Sequence, residues 1–315
     1  MTATQALTEK QIQQLDRFFE DFPRERVKRR QILANYTTFR VGGEGDYVFL
    51  PRQIDEVTQV VNFCRANGIP ITVLGSGSNV LIADKGIRGV VIILGGQLQN
   101  IRLEDNVVVA DAGAKLCAVA AFAAKHCLTG LEFAAGIPGS VGGAVLMNAG
   151  AYEGQIDQVL LRSEFLDEDG EKKMLDAAEH EFGYRESYFK HHPTVILRAY
   201  FKLEPGDRRE IYDRINEIQV KRRHSQPLEL ASAGSAFKRP TGYYAGKLIS
   251  DAGLKGWRKK SAGVSEKHAG FIVQYGDATA GEVREVFDHV REKVNADFGV
   301  MLEPEVRMIG EWEDA

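Results

Sequence analysis

The chain has 315 residues, of which 44% are hydrophobic and 27% are charged, as is common in globular proteins. This length predicts two or three domains. No apolar run approaches the roughly 18 residues of a membrane span, and the net charge of −4 comes without an extended basic stripe. We therefore expect neither membrane insertion nor nucleic-acid binding.

The first third of the chain predicts alternating helices and strands. Residues 8–30 favour one polar amphipathic helix, and a strand is predicted at Asp46–Leu50. Apolar residues at helical spacing predict a helix at Ile54–Asn67, which Gly68 ends. With the strand Pro70–Leu74, this stretch predicts a βαβ unit.

A glycine-rich loop, Gly75-Ser76-Gly77-Ser78-Asn79, comes next and leads into another strand, Val80–Ile82. A Rossmann fingerprint requires a helix at that point, so the loop is not one. Further elements are predicted as strands at Val90–Leu94 and Val107–Ala110 and a helix at Leu116–His126.

A second glycine-rich turn, Gly136–Ala144, has five glycines and prolines within eight positions. Glycine lets the backbone approach a ligand, and successive inward N–H groups bind phosphate oxygens. Two such loops suggest a pyrophosphate ligand, and the serines and Asn79 of the first loop add short polar groups. Taken alone, either loop is weak evidence, because a tight structural turn is the more common explanation of such a sequence.

The C-terminal part predicts a separate α+β module that begins after Pro205. We divide the chain into domains at 1–97, 98–205 and 206–315. The module is predicted to contain helices at 208–222, Tyr244–Ala252 and Ala280–Phe298 and a strand at Gly270–Gln274.

Ser235 lies beside two cations, Lys238 and Arg239, in a turn of small residues. A serine there is suited to donate a proton if a neighbouring cation stabilises its alkoxide. Taken alone, a capping or turn serine is the simpler interpretation. Tyr184-Arg185-Glu186-Ser187 and Glu303-Pro304-Glu305 are as ambiguous, because such residues mostly lie on surfaces.

The start of the chain lacks the basic and apolar blocks of a secretory signal, which favours a cytoplasmic protein. The cysteines Cys64, Cys117 and Cys127 have no metal-ligand spacing, so we predict three buried thiols and no metal site. The short basic clusters are interpreted as solvated faces, although those beside a glycine-rich turn also suit a small anion. These clusters are Lys28-Arg29-Arg30, Lys221-Arg222-Arg223 and Arg258-Lys259-Lys260.

Taken together and in order, these motifs resemble one family, the UDP-N-acetylenolpyruvoylglucosamine reductases, over nearly the whole chain. The motifs that carry the resemblance are Thr38-Phe39-Arg40-Val41-Gly42-Gly43, Gly75–Asn79, Gly136–Gly143 with Asn148-Ala149-Gly150-Ala151-Tyr152, Tyr184–Ser187, Ser232-Ala233-Gly234-Ser235, Val264-Ser265-Glu266-Lys267-His268-Ala269 and Leu302-Glu303-Pro304-Glu305-Val306.

The resemblance implies an α+β protein, with an FAD-binding fold of the vanillyl-alcohol-oxidase (PCMH) type in two subdomains and a C-terminal substrate-binding domain. FAD is expected to be non-covalent, since the loops contain neither histidine nor cysteine. By the same resemblance, the cofactor-binding residues are Gly75, Ser76, Gly77, Ser78, Asn79, Gly136, Gly139, Ser140, Gly143 and Asn148.

The resemblance also implies the reaction. NADPH reduces FAD, whose N5 passes the hydride to the enolpyruvyl group of UDP-N-acetylglucosamine enolpyruvate, a step of peptidoglycan precursor synthesis. Ser235 donates the proton, while Arg185 and Glu305 flank the reacting carboxylate and its enol-like intermediate. Tyr152, Tyr184, Arg239, Lys247 and His268 are the expected substrate-binding residues.

Two features distinguish this chain from other members of the family that it resembles. Arg239 stands where many relatives have asparagine, and the span from Arg185 to Pro205 leaves no room for the loop that covers the substrate in one subtype. The chain thus resembles the subtype without that loop. We also expect a monomer.

The alternatives to this function are an FAD oxidase or dehydrogenase of the same fold acting on an alcohol, and a nucleotide-binding regulator without catalysis.

Overall fold

Residues 6–313 are described by the structure, a computed structural model. The prediction that the chain has no secretory signal rests in part on its first five residues, and these lie outside the described part. Within residues 6–313, no helix combines the length and the apolar character that a membrane span requires.

The N-terminal part forms a four-stranded sheet in the order β1-β2-β5-β3. Strands β2 and β3 both run parallel to β5, and α2 connects them, so the predicted βαβ unit is confirmed. The helix α2 buries Val57, Val60, Val61 and Cys64. The elements are α1 (Glu9–Phe19), β1 (Val27–Ile32), β2 (Glu44–Phe49), α2 (Ile54–Ala66), β3 (Ile71–Leu74), β4 (Val80–Ile82) and β5 (Ile87–Ile93).

The predicted helix over residues 8–30 is wrong in its second half. The helix α1 ends at Phe19, and residues 27–32 form β1, which pairs antiparallel with β2. Pro23 lacks a backbone N–H and disfavours helical geometry at the preceding residue, so the helix cannot continue. The cluster Lys28-Arg29-Arg30 lies on this edge strand, where charged side chains discourage pairing with other chains.

The middle part forms a five-stranded antiparallel sheet in the order β12-β11-β13-β7-β6. Its core is continuous with that of the first sheet, because Phe49 and Val61 belong to the same buried cluster as Leu116 and Phe201. The elements are β6 (Ile101–Glu104), β7 (Val107–Asp111), α3 (Leu116–Lys125), β8 (Leu128–Thr129), α4 (Val141–Leu146), β9 (Gly150–Ala151), β10 (Gly154–Gln155), β11 (Leu160–Leu166), β12 (Lys172–Asp176), β13 (Val195–Lys202) and β14 (Glu204–Pro205).

The C-terminal part forms a four-stranded antiparallel sheet in the order β15-β18-β17-β16, against which α7 packs. Val283, Phe287 and Val290 of α7 are fully buried. Strand β19 pairs parallel with β4, so the chain returns to its N-terminal part. The elements are α5 (Arg208–Ser225), β15 (Ala231–Ser235), α6 (Ala245–Asp251), β16 (Arg258–Lys259), β17 (Ala262–Val264), β18 (Phe271–Gln274), α7 (Ala280–Phe298) and β19 (Arg307–Ile309).

The prediction of three buried thiols is correct only for Cys64. Burial raises the pKa of the Cys64 thiol to about 12. Cys117 and Cys127 are half-buried. Cys127 lies just beyond the end of α3 with a φ of +56°, in a turn.

Candidate active site

The two glycine-rich loops lie against each other. The hydroxyl of Ser78 donates a hydrogen bond of 2.9 Å to the carbonyl of Pro138. A Cβ atom on Gly75 would lie 2.0 Å from the Oγ atom of Ser140, so a larger residue there would displace the Ser140 side chain. The loops thus form one structure, although residues 75 and 140 are far apart in the sequence.

Both loops line a first cavity of about 650 Å³, within the usual range of small-ligand sites. No histidine or cysteine is among its lining residues in the described part of the chain. The predicted cofactor-binding residues that line it are Gly75, Ser76, Gly77, Ser78, Asn79, Gly139, Ser140 and Gly143.

Gly136 and Asn148, also predicted to bind the cofactor, lie outside the lining of this cavity. A Cβ atom on Gly136 would lie 2.4 Å from Cδ of Arg222, so this glycine makes room for an arginine. Asn148 is 1% exposed, and its amide donates to Asp157 and to the carbonyl of Gly183. These contacts indicate that Gly136 and Asn148 stabilise the structure around the cavity and do not line it.

Two arginines that the sequence analysis did not assign to the cofactor, Arg222 and Arg307, line the first cavity. Arg222 is half-buried and Arg307 is exposed toward the cavity, yet the surrounding protein atoms desolvate both guanidinium groups and lower their pKa values. Neither forms a salt bridge with a residue in the range 6–313. A desolvated cation without a carboxylate favours an anionic ligand, and the cavity therefore suits a dinucleotide with a pyrophosphate.

A second cavity, of about 440 Å³, is lined by five cationic side chains and one carboxylate, that of Glu305. Such a charge balance favours a ligand with several negative charges. Lys255 and Lys267 were missed by the sequence analysis, since single lysines carry no motif. The cations are Arg185, Arg239, Lys247, Lys255 and Lys267.

Four of the five predicted substrate-binding residues, Tyr184, Arg239, Lys247 and His268, line this second cavity. Tyr152 lines neither cavity. The Tyr184 hydroxyl accepts a hydrogen bond of 3.1 Å from the backbone N–H of Arg239, which links the middle and C-terminal parts of the chain.

Other side chains of the second cavity are held by their neighbours. The Arg239 guanidinium lies 4.0 Å from the ring centroid of Tyr244, and Lys247 forms an ion pair of 2.7 Å with Asp251. His268 accepts a hydrogen bond of 3.0 Å from the Gly270 N–H at Nδ1, so its neutral form carries the proton on Nε2. Burial lowers the pKa of His268 and favours that neutral form.

Arg185, Ser235 and Glu305 are the residues that line both cavities. The Nε atom of Arg185 lies 2.6 Å from Oε1 of Glu305, and the two side chains are 18% and 13% exposed. The three predicted catalytic side chains therefore share one wall, where a ligand in the first cavity meets a ligand in the second.

Local backbone geometry presents Ser235 and Glu305 at this wall. The pairing of β15 with β18 is irregular between Ser232 and Ser235, and Gly234 has a φ of +76°. Such a bulge redirects the following side chain. The Glu305 carbonyl accepts a hydrogen bond of 3.1 Å from the Asn79 amide, so the first glycine-rich loop also holds the glutamate segment.

Two family models match the chain. Residues 45–175 match an FAD binding domain, and residues 226–309 match the C-terminal domain of UDP-N-acetylenolpyruvoylglucosamine reductase. The chain is thus an FAD-dependent oxidoreductase with an α+β fold, as the sequence predicts.

Individual relatives define the family. The chain is 44% identical to the UDP-N-acetylenolpyruvoylglucosamine reductase of Limosilactobacillus fermentum, over 94% of this chain and 99% of that protein. Identity to the Pediococcus pentosaceus enzyme of the same name is 47%, over 92% and 96%. The crystal structure of the Thermus caldophilus enzyme (MurB) is 36% identical and superposes with a TM-score of 0.78, covering 91% of this chain and 99% of that one. The chain belongs to the UDP-N-acetylenolpyruvoylglucosamine reductase family.

Proposed function

We propose that the protein uses NADPH to reduce the enolpyruvyl group of UDP-N-acetylglucosamine enolpyruvate, which yields UDP-N-acetylmuramate for peptidoglycan precursor synthesis. One observation carries the proposal: Arg185, Ser235 and Glu305 form the wall shared by a cavity suited to a dinucleotide and a cavity lined by cations. The cations suit a sugar linked to a nucleotide diphosphate. They also suit a phosphorylated dinucleotide that binds in the same cavity at a different step.

The first cavity is the proposed FAD site. Its glycine-rich loops and the guanidinium groups of Arg222 and Arg307 would hold the pyrophosphate, and the described lining contains no histidine or cysteine for a covalent bond. When bound, FAD supplies the hydride transfer between NADPH and the sugar.

Arg185 stabilises negative charge on the substrate. Adding a hydride to the terminal carbon of the enolpyruvyl double bond moves charge onto the carboxylate. A guanidinium held by the Glu305 carboxylate at 2.6 Å and by the Gly150 carbonyl at 3.3 Å is fixed in advance for that charge. Glu305 orients this arginine and, in the proposed reaction, interacts with the enol oxygen.

Ser235 supplies the proton to the carbon next to the carboxylate. Its residue is exposed to the cavities, and no group in residues 6–313 forms a hydrogen bond with its hydroxyl. The hydroxyl is thus free to turn toward a substrate and to act as the general acid.

The domain division at 1–97, 98–205 and 206–315 is also proposed, and the three larger sheets, one in each part, support it. We also expect a monomer. The three free cysteines are consistent with work in the cytoplasm, where thiols stay reduced.

Anaerobic mixing tests the function. NADPH is expected to bleach the flavin absorbance, and UDP-N-acetylglucosamine enolpyruvate is expected to restore it. A reduced enzyme that the sugar leaves bleached refutes the proposal, and reoxidation by an alcohol-derived carbonyl compound instead would favour the oxidase or dehydrogenase alternative. A purified protein that binds no flavin would favour a nucleotide-binding regulator.

A further inference from the structure

The turn that presents Arg185 has an unfavourable backbone conformation. Gly183 and Glu186 exchange two backbone hydrogen bonds, each of 3.2 Å, and Tyr184 and Arg185 lie between them. Arg185 has a φ of +60°, a region that a residue with a side chain rarely adopts. Neighbouring groups must therefore hold this conformation.

Lys190 holds the turn from one side. Its Nζ atom donates a hydrogen bond of 2.8 Å to the carbonyl of Arg185 and also contacts the Glu186 carboxylate. The Lys190 side chain is 19% exposed, so water competes little for these contacts. One ammonium group thus binds both residues on either side of the 185–186 peptide bond.

Asn148 holds the turn from the other side. Its amide donates hydrogen bonds of 3.1 Å to the Gly183 carbonyl and to Oδ2 of Asp157, while its oxygen accepts one of 3.0 Å from the Asp157 N–H. Because Asn148 is 1% exposed, this end of the turn is fixed in the protein interior.

The 185–186 peptide is the part of the turn that depends on Lys190. If this peptide rotates, the Arg185 side chain leaves the direction in which its Nε atom meets Glu305. We propose that Lys190 is a positioning residue for the sugar half-reaction, because it keeps the Arg185 guanidinium directed at the wall between the two cavities. This inference rests on the proposed function and extends it to a residue that lines neither cavity.

Lys190→Met tests the inference in the two half-reactions separately. We expect reoxidation of the reduced enzyme by UDP-N-acetylglucosamine enolpyruvate to slow by about tenfold to a hundredfold, the scale of a lost charged hydrogen bond. Flavin reduction by NADPH should stay unchanged, and Lys190→Arg should restore most of the rate because it keeps cationic donors. Lys293→Met is the matched control, since Lys293 also forms an (i,i+4) ion pair, with Asp297, on an exposed helix surface.

Combination with Arg185→Ala shows whether Lys190 acts through the arginine. The two substitutions should be non-additive, so that Lys190→Met adds no further slowing once Arg185 is gone. Full additional slowing, equal loss in both half-reactions, or an unchanged sugar rate in Lys190→Met would overturn the inference.

Failure of the proposed function gives a different result, because the wild-type reduced enzyme would then not be reoxidised by the sugar. In that case a crystal structure of Lys190→Met decides the inference without activity. Loss of the Arg185–Glu305 contact supports it, and an intact contact overturns it.

Discussion

Arg222 faces the first cavity with a desolvated guanidinium and no carboxylate partner in the described part of the chain. We expect Arg222→Met to weaken FAD binding by about tenfold to a hundredfold, because a charged hydrogen bond to phosphate contributes about 1.5–3 kcal/mol. Quenching of flavin fluorescence by the apoprotein measures the Kd. Arg209→Met is the control, since Arg209 lies on the same helix with a side chain that is 91% exposed.

The same variant makes a second measurement informative. Removing a desolvated charge that has no partner relieves a cost of folding. The thermal midpoint of the FAD-free Arg222→Met protein should therefore equal or exceed that of the FAD-free wild type. A clearly lower midpoint would mean that Arg222 supports the fold and not the ligand.

His180 gives a prediction for stability against pH. It is fully buried between the Ser163 hydroxyl and the Asp176 carbonyl, each 2.8 Å from a ring nitrogen, and desolvation lowers its pKa from the ordinary 6.5. Below the pKa that His180 has in the unfolded chain, the unfolded chain binds a proton that the folded chain does not. The stabilisation that comes with the neutral ring is therefore fully present above about pH 6.5 and falls as the pH decreases.

Urea unfolding at about pH 5.5 and about pH 7.5 measures this effect. The loss of unfolding free energy between the two pH values should be smaller in His180→Gln, which keeps a donor and an acceptor but does not titrate. An equally large loss in the variant would assign the pH dependence to other groups.

At the scale of single residues, the sequence indicates which residues form the site better than it indicates what each of them contacts. The resemblance to a family singles out Ser235, Arg185 and Glu305, whose own motifs are ambiguous, and the structure brings the three together. Arg222 lies within a basic cluster that has the composition of a solvated surface. Arg222 packs against Gly136, where a side chain would collide with it. No residue spacing in the sequence reveals this contact.

Asp84 caps a helix that belongs to a distant part of the chain. Its carboxylate accepts hydrogen bonds of 2.8 Å from the N–H groups of Ala280 and Gly281, at the start of α7. Asp84→Ala should lower the free energy of unfolding by about 1–2 kcal/mol, from the lost cap and the lost negative charge at the helix N-terminus. Urea unfolding measures the change.

Asp213→Ala serves as the control for that prediction, because the Asp213 side chain is 72% exposed and forms only a long ion pair of 3.8 Å with Arg209. Asp84→Asn should fall between wild type and Asp84→Ala, since asparagine caps a helix without charge. Equal stability of Asp84→Ala and Asp213→Ala would contradict the account of α7.

Elements with local signals are predicted well. The helix α7 matches its predicted bounds, because Thr279 caps its start and Gly299, with a φ of +68°, ends it. The sequence predicts a helix where strand β1 forms, because the charged residues of β1 fit either element and its pairing partner β2 lies further along the chain. Strands on sheet edges carry little periodic signal of their own.

At the scale of the whole molecule, the site exists because the chain returns to its beginning. Strand β19 pairs with β4, and this pairing brings the Glu305 segment beside the Asn79 amide of the first loop. Arg185 comes from the middle part and Ser235 from the C-terminal sheet. Only the resemblance to a family predicted that these segments meet, because local patterns carry no information about contacts between distant parts.

The measurement that tests the central claim most directly is the sugar half-reaction of Ser235→Ala, followed by anaerobic double mixing. The account predicts that NADPH reduces the flavin at nearly the wild-type rate, while reoxidation by UDP-N-acetylglucosamine enolpyruvate slows by at least about a hundredfold. Ser225→Ala, at an exposed serine on α5, should behave as wild type. Reoxidation of Ser235→Ala at the wild-type rate, or an equal loss in both half-reactions, would contradict the account.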